Sequence, residues 1–597
     1  MLVYGDVECI ETVRDKQKAI EAHLARVNAL PPGSERHAAL VAAFIGTSEL
    51  VQALIDADFQ TRGFDTLSAA HVSGLECLSL LAHSIVRSWQ SGFSQATPPE
   101  NFEDKLLSFD SGLTIRTKQA EGYAFYALYP ESYVEAAVRS GLGSQTLVIG
   151  IRSIGAGLAA LVAAALGTRV ALTVRPVGHP FRRKVRVDPE VTTLLTRDPA
   201  ASFAVVDEGP GLSGSSFGAV ADWLEAAGVS RERIHFFPSH TGPLGPQASS
   251  AHRERWDGAA RFVIALDELL RDGERNHLRR WVESIVGPLE EDLQDISGGT
   301  WRTLRYRDRA QWPAANVQQE RRKFLARTGE ATWLVKFSGL GESGLMKQAQ
   351  AERLYEAGLT SEVAGLCHGF LVERWHEHAC SLDRHPIARG QLVERVGAYL
   401  GFRARHFPAL PHQGASLTEL RDMAVHNAEQ ALGEEARAAL NCLLHNADIL
   451  SGTENRIFTD NRMQISEWLL VDGRLIKTDA LDHCLAHDLV GCQDITWDIA
   501  GAAVELGLSD QETRKLCSVV QEESARPVSV ALLSYMLPCY LAFQLGAHTM
   551  AADALAGNEE EYRLRIAAKR YGALLQNYIA HPGLLGFDEE QDKVPAS

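Results

Sequence analysis

The sequence predicts an α/β protein built from three consecutive parts, and three observations predict it. Up to about residue 110, apolar residues recur at the three- and four-residue spacing of helices. From about 112 to 270, short β-rich runs alternate with helical runs, as in a parallel sheet. From about 290, hairpin-like segments precede a long helical remainder. We therefore predict a helical N-terminal region (1–110), a parallel-sheet domain (111–280) and a two-lobed α+β domain (290–597).

Composition narrows the class of function. The chain has 597 residues and a net charge of −17, which argues against non-specific nucleic-acid binding. Its nine cysteines form no CxxC pair, as expected of reduced thiols in a cytosolic protein. The N-terminus has no signal-peptide pattern, and the apolar run at 154–167 is too short to span a bilayer. We expect a cytoplasmic protein that acts on small molecules, without a nucleic-acid or membrane partner.

The N-terminal helical region carries no chemical motif. Its segment "GTSELVQALIDADF" (46–59) has an apolar stripe, which predicts a face buried in a helical core. That face either packs on the parallel-sheet domain or forms an oligomer interface, and the sequence leaves both open.

Six runs supply the predicted strands of the second part. They are "YAFYALY", "TLVIGI", "VALTV", "FAVV", "RIHFF" and "RFVIAL". The "FAVV" run continues as "DEGPGLSGSSFG" (207–218): two acids, a glycine- and serine-rich loop, and the start of a helical pattern. Ligands of open parallel sheets bind at the carboxyl ends of strands, and loop amides at a helix N-terminus suit a phosphate. Because adjacent carboxylates accept hydrogen bonds from vicinal hydroxyls, the stretch predicts a sugar-phosphate site.

This stretch resembles the diphosphoribosyl-binding motif of the type I phosphoribosyltransferases. Its loop has Leu-Ser-Gly-Ser where that family more often has Thr-Gly-Gly-Thr. Two further segments resemble family landmarks, in the same order: "LVIGIRSIGAG" (147–157) the pyrophosphate loop, and "TVRPVGHPFRRKVRVD" (173–188) the mobile basic loop. The resemblance covers roughly residues 112–270.

The resemblance implies transfer of ribosyl 5-phosphate from 5-phosphoribosyl diphosphate, with Mg²⁺, to an acceptor. Asp207 and Glu208 would be the catalytic pair that holds the ribose hydroxyls. The implied diphosphate-binding residues are Arg152, Ser153, Arg182, Arg183, Lys184, Ser213, Gly214, Ser215 and Ser216. Two alternatives stay open: a surface loop beside a solvated basic edge, and a domain that binds the ligand without catalysis.

The third part contains the residue types that phosphoryl transfer requires: a strand lysine, a helix glutamate, a catalytic aspartate and a metal-binding aspartate. "TWLVKFSG" places Lys336 at a strand end, and the following helical run offers Glu352. "WRTLRYRD" (301–308) and "RRKFLART" (321–328) are predicted hairpin strands, and "GFLVERW" (369–375) is a predicted strand at a hinge.

Further on, "EWLLVDGRLIKTD" predicts a hairpin that turns at Asp472-Gly473, with Asp460 before it and Asp479 at its end. This order resembles the aminoglycoside and choline kinase-like phosphotransferases. The resemblance implies Asp460 as catalytic residue, Asp479 as metal ligand, and Asp494 and Asp498 as structural acids.

The chain departs from the kinase family pattern at two positions. Thr459 stands where the family has His, and Ile465 where it has a metal-binding Asn. Ser466 or Glu467 could replace the Asn, and Glu467 is the better magnesium ligand because Mg²⁺ prefers hard oxygen donors. "DISGGTWR" (295–302) is placed to cover phosphates but is short for that task.

The two resemblances together imply a bifunctional small-molecule enzyme with Mg²⁺, 5-phosphoribosyl diphosphate and ATP. Lys336 and Glu352 would bind ATP, and Asp479 and Glu467 the metal. The alternative is a sensor of nucleotide or phosphoribosyl diphosphate with inactive domains. We predict no zinc site, because His368, His445 and His483 show no ligand spacing such as HExxH.

Overall fold

The structure is a computed structural model that describes residues 8–211, 213–245, 248–271, 277–485 and 490–582. It is a mixed helix-and-sheet fold with one parallel sheet and several antiparallel ones.

The first part is helical but begins with a strand. Its elements are β1 (Glu8–Thr12), α1 (Val13–Ala29), α2 (Ser34–Arg62), α3 (Ala69–Gln90) and α4 (Phe102–Leu107). The sequence predicted no strand here, yet β1 pairs antiparallel with β2 (Thr114–Lys118) of the next part. A five-residue strand whose partner lies about a hundred residues away leaves no local pairing signal.

The second part contains a four-stranded parallel sheet. Its elements after β2 are α5 (Glu121–Phe125), α6 (Pro130–Arg139), β3 (Thr146–Ile151), α7 (Gly155–Leu166), β4 (Val170–Val174), α8 (Pro189–Leu195), β5 (Ser202–Val206), α9 (Ser215–Ala226), β6 (Ile234–Phe237), α10 (Ser250–Gly258), α11 (Leu266–Leu270) and α12 (His277–Val286). The strand order is β4-β3-β5-β6, and every pair is parallel. Since β4 lies on one side of β3 and β5 on the other, the topology reverses between β3 and β5.

The third part starts with a five-stranded antiparallel sheet of order β10-β11-β9-β8-β7. Its elements are β7 (Gln294–Asp295), α13 (Arg302–Arg305), β8 (Lys323–Arg327), β9 (Thr332–Phe337), α14 (Gly341–Glu356), β10 (Val363–Cys367) and β11 (Phe370–Arg374). The helix α14 connects β9 to β10 and packs on the sheet.

A helical region with short strand pairs completes the described chain. Its elements are β12 (Cys380–Ser381), α15 (Arg389–His406), α16 (Leu417–Leu432), α17 (Glu434–Leu443), α18 (Ala447–Leu450), β13 (Arg456–Ile457), β14 (Trp468–Val471), β15 (Arg474–Lys477), β16 (Gln493–Asp494), α19 (Thr496–Glu505), α20 (Asp510–Ser524), α21 (Val530–Ala554) and α22 (Glu559–Ala580). β14 and β15 form the predicted hairpin, which turns at Asp472 and Gly473, both at positive φ.

Three predicted strands are wrong. The run 123–129 begins in helix α5, where Tyr123 and Phe125 are buried, so burial overrides the strand preference of its aromatic residues. The run 261–266 forms only an isolated bridge at Arg261. The run 301–308 contains helix α13, where the buried Arg302 pairs with Glu560 of α22.

One hydrophobic core crosses both predicted domain boundaries. It joins helices α1–α3, one face of the parallel sheet and the five-stranded sheet, with members from Val13 to Val372. A second core fills the C-terminal helical region, and a third lies under the other face of the parallel sheet. The boundaries near 110 and 280–290 therefore do not separate independent cores.

Three described helices, α2, α3 and α21, are long and apolar enough to cross a bilayer by length and composition. The buried shares of their most apolar windows are 83%, 56% and 78%. The run at 154–167, which the sequence analysis judged too short, forms the shorter apolar helix α7 and is not one of these three.

Candidate active sites

The first candidate site lies at the carboxyl ends of β3 and β5, where the topology reverses. Asp207 and Glu208 follow β5 directly, and residues 152–154 form the turn between β3 and α7. Both segments line a cavity of about 890 Å³. Ligands of open α/β sheets bind at such a reversal, and the strand–loop–helix predicted for 203–228 is present as β5 and α9.

Burial raises the pKa of both acids. The pKa of Asp207 rises to about 7 because the carboxyl group is removed from water. The pKa of Glu208 rises to about 8, mainly through burial and further through the neighbouring charges of Asp207 and Glu121. Such groups exchange protons near neutral pH, as functional carboxyls often do.

The serine-rich loop leads into the N-terminus of α9. Gly211 and Gly214 adopt positive φ, which glycine allows at little cost. Ser216 lines the cavity. The hydroxyls of Ser213 and Ser215 both donate to the carbonyl oxygen of Pro180 in the basic segment.

The basic segment is a short hairpin at 177–184. Val177 and Lys184 exchange two backbone hydrogen bonds, of 2.8 and 2.9 Å. Arg183 lines the cavity, whereas Arg182 and Lys184 are exposed. The structure therefore brings one of the three predicted basic side chains to the site.

Arg152 lines the cavity, but its guanidinium is held by partners within the fold. Its Nε donates to Asp56 over 2.8 Å, one Nη donates to Asp65, and the other donates to the carbonyl oxygen of Thr173 over 2.8 Å. The residue is 2% exposed. Asp56 and Asp65 precede it by almost a hundred residues, so local sequence gave no sign that they hold the guanidinium. Its neighbour Ser153 lines the cavity.

Three cavity residues carried no sequence signal. Lys118 and His240 line the cavity, and the hydroxyl of Tyr133 donates to the carbonyl oxygen of Asp207 over 2.9 Å. All three lie outside the family landmarks.

The second candidate site is the cleft between the five-stranded sheet and the C-terminal helical region. Lys336 on β9 donates to Asp479 over 2.8 Å and lies 2.7 Å from Asp482. Burial disfavours the charged lysine, but Asp479 and Asp482 raise its pKa well above the usual value. Burial also opposes ionisation of Asp479, but Lys336 and His483 hold its pKa well below the usual value.

The predicted pair of Lys336 with Glu352 is wrong. Glu352 is exposed and accepts a hydrogen bond from Gln348 over 2.8 Å. On the buried face of α14, the ammonium of Lys347 donates to Asp482 over 2.9 Å. The helix thus presents a cation where a glutamate was expected, and Asp482 joins the two lysines.

Glu467 and Asp479 line the same cleft, as their predicted shared role requires. The carbonyl oxygen of Glu467 accepts from both the amide and the hydroxyl of Thr478, which holds the two acidic residues at adjacent positions. The carboxylate of Glu467 accepts from Lys477 over 2.8 Å and lies 3.2 Å from Arg462. Hard carboxylate oxygens of this kind suit Mg²⁺.

Asp460 lies behind the cleft. It is 1% exposed, accepts a hydrogen bond from the hydroxyl of Tyr399, and lies 3.4 Å from the ammonium of Lys477. The amides of Asp460 and Asn461 donate to Asp498 over 2.7 and 2.9 Å. Burial and the nearby charge of Asp460 raise the pKa of Asp498. Asp498 therefore supports the loop that carries Asp460.

The other motif positions have plain structural places. Asp494 accepts from the amides of Asn455 and Thr496, and Thr459 donates to Asn461 over 3.3 Å. Ile465 is 36% exposed, and its hydrocarbon side chain has no oxygen that could bind a metal ion.

The segment between β7 and β8 covers the cleft. Trp301 lines it, and the amide of Gly299 donates to Glu320, another lining residue. This is the connection in which the sequence placed "DISGGTWR".

No protein-family model and no curated protein matches the chain. Similar solved structures include small-molecule kinases. The spectinomycin phosphotransferase complex with ADP and spectinomycin is 11% identical over 50% of this chain and 93% of that chain, with a TM-score of 0.34. The choline kinase of Streptococcus pneumoniae is 16% identical over 42% and 89%, with a TM-score of 0.30. A glucosamine kinase bound to glucosamine, ADP and phosphate is 17% identical over 44% and 76%, with a TM-score of 0.24.

Proposed function

We propose that the chain is a bifunctional small-molecule transferase, with ATP-dependent phosphorylation of a hydroxyl group in the cleft. The observation that carries this proposal is the contact of 2.8 Å between Lys336 and Asp479 across the cleft, with Glu467 lining the same space. A strand lysine opposite a carboxylate that follows a later hairpin is the arrangement that holds the phosphates of a nucleotide and its metal.

The charged groups have distinct roles in this proposal. Lys336 binds the α- and β-phosphates once the nucleotide enters, and Asp482 keeps the ammonium aimed into the cleft. Asp479 and Glu467 would hold Mg²⁺, which neutralises phosphate charge when bound. Arg462, which also lines the cleft, adds a second positive charge near the transferred group.

The role of Asp460 decides whether the third part is an active kinase or a nucleotide-binding domain without activity. As general base, Asp460 must reach the substrate hydroxyl, so Tyr399 must release it when substrate binds. Its burial is the observation that favours the alternative, a nucleotide sensor.

The test uses slow transfer of phosphate from ATP to water, because the natural acceptor is unknown. We expect Asp460→Asn to leave MgATP affinity within about twofold and to lower ADP formation by about 10²-fold or more. Asp479→Asn should weaken MgATP binding itself. Wild-type protein that binds MgATP but forms no ADP supports the sensor, and wild-type protein that binds no nucleotide contradicts both functions.

We further propose that the parallel-sheet cavity binds 5-phosphoribosyl diphosphate and transfers its ribosyl 5-phosphate to an acceptor. The supporting observation is the pair Asp207 and Glu208 at the topological reversal, beside a helix N-terminus and Arg183. The carboxylates accept from the ribose hydroxyls, the amides of 213–216 bind the 5-phosphate, and Arg183 binds the pyrophosphate. The bond from the anomeric carbon to pyrophosphate breaks, and a bond from that carbon to the acceptor forms.

Pyrophosphate release tests this second activity. Nucleobases and amines are tested one by one as acceptors, with wild-type protein, 5-phosphoribosyl diphosphate and Mg²⁺. We expect the correct acceptor to increase the rate of pyrophosphate release over the rate without acceptor. Binding without release for every acceptor would favour the sensor, and absence of binding would contradict the site.

A further inference from the structure

A histidine–glutamate–histidine cluster lies outside both candidate sites. One carboxylate oxygen of Glu131 is 2.7 Å from Nε2 of His37 and 2.9 Å from Nε2 of His368. These three donor atoms all lie within 4.8 Å of one another. The sequence carries no sign of this cluster, because its members are about a hundred or more residues apart and do not have the spacing of a metal-binding motif.

Three separate segments build the cluster. His37 lies on α2 of the first part, Glu131 on α6 of the second, and His368 in the turn between β10 and β11 of the third. His368 adopts a φ of +38°, an uncommon backbone conformation for a residue with a side chain. The hydroxyl of Tyr129 donates to the carbonyl oxygen of His368 over 2.7 Å and holds this turn.

The carboxylate of Glu131 lies in buried and largely aromatic surroundings. His37 and Glu131 have 0% exposed side chains, and Trp89, Phe93 and Trp281 pack around the histidine rings. Among the described residues, no lysine or arginine forms an ion pair with Glu131, and its second oxygen has no hydrogen-bond partner. A buried carboxylate whose partners are neutral imidazoles is strongly unfavourable unless a proton or a metal ion neutralises its charge.

The ring of His37 is positioned as a metal ligand. Its Nδ1 lies 2.7 Å from the hydroxyl of Ser88, so Nε2 is the nitrogen that faces the cluster. A histidine that binds a metal through one ring nitrogen usually forms a hydrogen bond with its other ring nitrogen.

We propose that His37, Glu131 and His368 bind a divalent transition-metal ion, with Zn²⁺ as the best match to two imidazoles and one carboxylate. Zinc bonds to such ligands are about 2.0–2.2 Å long, so tetrahedral ligands lie roughly 3.3 Å apart. Metal entry therefore widens the two contacts by about half an ångström. The ion joins α2, α6 and the β10–β11 turn, which gives it a structural role.

Metal analysis of the full chain, purified without a histidine tag, tests the proposal. We expect about one zinc per chain in wild-type protein and at least a tenfold loss in Glu131→Gln, which removes the charge and keeps the shape. His235→Gln, a partly buried histidine on β6 outside the cluster, should keep the metal. A wild-type chain without a transition metal overturns the proposal and leaves a hydrogen-bonded junction of neutral or protonated imidazoles.

X-ray absorption of the wild-type protein keeps the test independent of variant folding. Nitrogen and oxygen ligands at about 2.0–2.1 Å support the cluster. Sulfur ligands near 2.3 Å would overturn it, because they would place the metal at cysteines such as the buried pair Cys484 and Cys492, whose sulfurs are 3.2 Å apart.

Discussion

At the scale of single residues, the most informative groups are Asp207 and Glu208, whose raised pKa values of about 7 and 8 predict pH-dependent binding at the proposed site. Both must be ionised to accept two ribose hydroxyls or to approach Mg²⁺. We expect affinity for 5-phosphoribosyl diphosphate with Mg²⁺ to rise from about pH 6 and to level off only at about one pH unit above the pKa of Glu208. Calorimetry in buffers of different ionisation enthalpy should show proton release on binding at pH 7. A flat affinity without proton release would contradict this role of the two acids.

The same pair should destabilise the fold at high pH. Their pKa values are higher in the folded chain than the usual values near 4 of an unfolded chain. The carboxyls therefore bind protons more tightly when folded, and stability falls as pH rises from about 4 to 8. We expect Asp207→Asn with Glu208→Gln to raise the urea midpoint more at pH 8 than at pH 5. An equal change in the urea midpoint at both pH values would show that folding does not raise the pKa values of the two acids.

Single candidate residues were predictable from sequence where they belong to a motif, but their partners were not. The order of strand, helix and hairpin pointed to Lys336 and Asp479 as candidates, yet the sequence paired Lys336 with Glu352 and not with Asp479. The capture of Arg152 by Asp56 and Asp65 was not predictable either, because these partners come from the first part. Lys347 was missed because a buried lysine in a helix has no distinguishing pattern until its partner Asp482 is seen.

At the scale of elements, close packing of α7 on β5 positions the first site. A Cβ added at Gly155 would lie 2.6 Å from the carbonyl oxygen of Val206 and 3.3 Å from Cα of Asp207. The backbone atoms of β5 cannot move aside as a flexible side chain could. We therefore expect Gly155→Ala to lower the free energy of unfolding by about 1–3 kcal/mol. Affinity for 5-phosphoribosyl diphosphate should fall as well, since β5 carries the acids.

Gly143→Ala is the matched control, because a Cβ there meets no atom within 4 Å. Chemical denaturation and calorimetry of the two variants compare the two glycines. A Gly155→Ala protein as stable as the Gly143→Ala protein would mean that α7 does not pack so closely on β5.

Elements with strong local signals were predicted, and elements set by distant contacts were not. The hairpin β14–β15 follows from alternation around Asp472-Gly473. Helix α13 does not, because it depends on the pair of Arg302 with Glu560, more than 250 residues away. The strand β1 likewise depends on β2.

At the scale of the whole molecule, the shared core makes the third part of the chain depend on the first two parts. Phe324, Val335, Phe337, Phe370 and Val372 pack in the same core as helices α1–α3. We expect a fragment of residues 290–597 to expose this apolar face, bind a hydrophobic dye and aggregate, whereas the full chain does not. A monomeric, dye-free fragment that unfolds cooperatively would contradict a shared core.

We propose two separate ligand sites in one chain, for MgATP in the cleft and for 5-phosphoribosyl diphosphate at the parallel sheet. Titration calorimetry of wild-type protein, Asp479→Asn, and Asp207→Asn with Glu208→Gln distinguishes the two sites. We predict that wild-type protein binds one equivalent of each ligand, that Asp479→Asn loses only MgATP, and that the double variant loses only 5-phosphoribosyl diphosphate. Wild-type protein that binds neither ligand, or single-site variants that lose both ligands while still folded, would contradict the account.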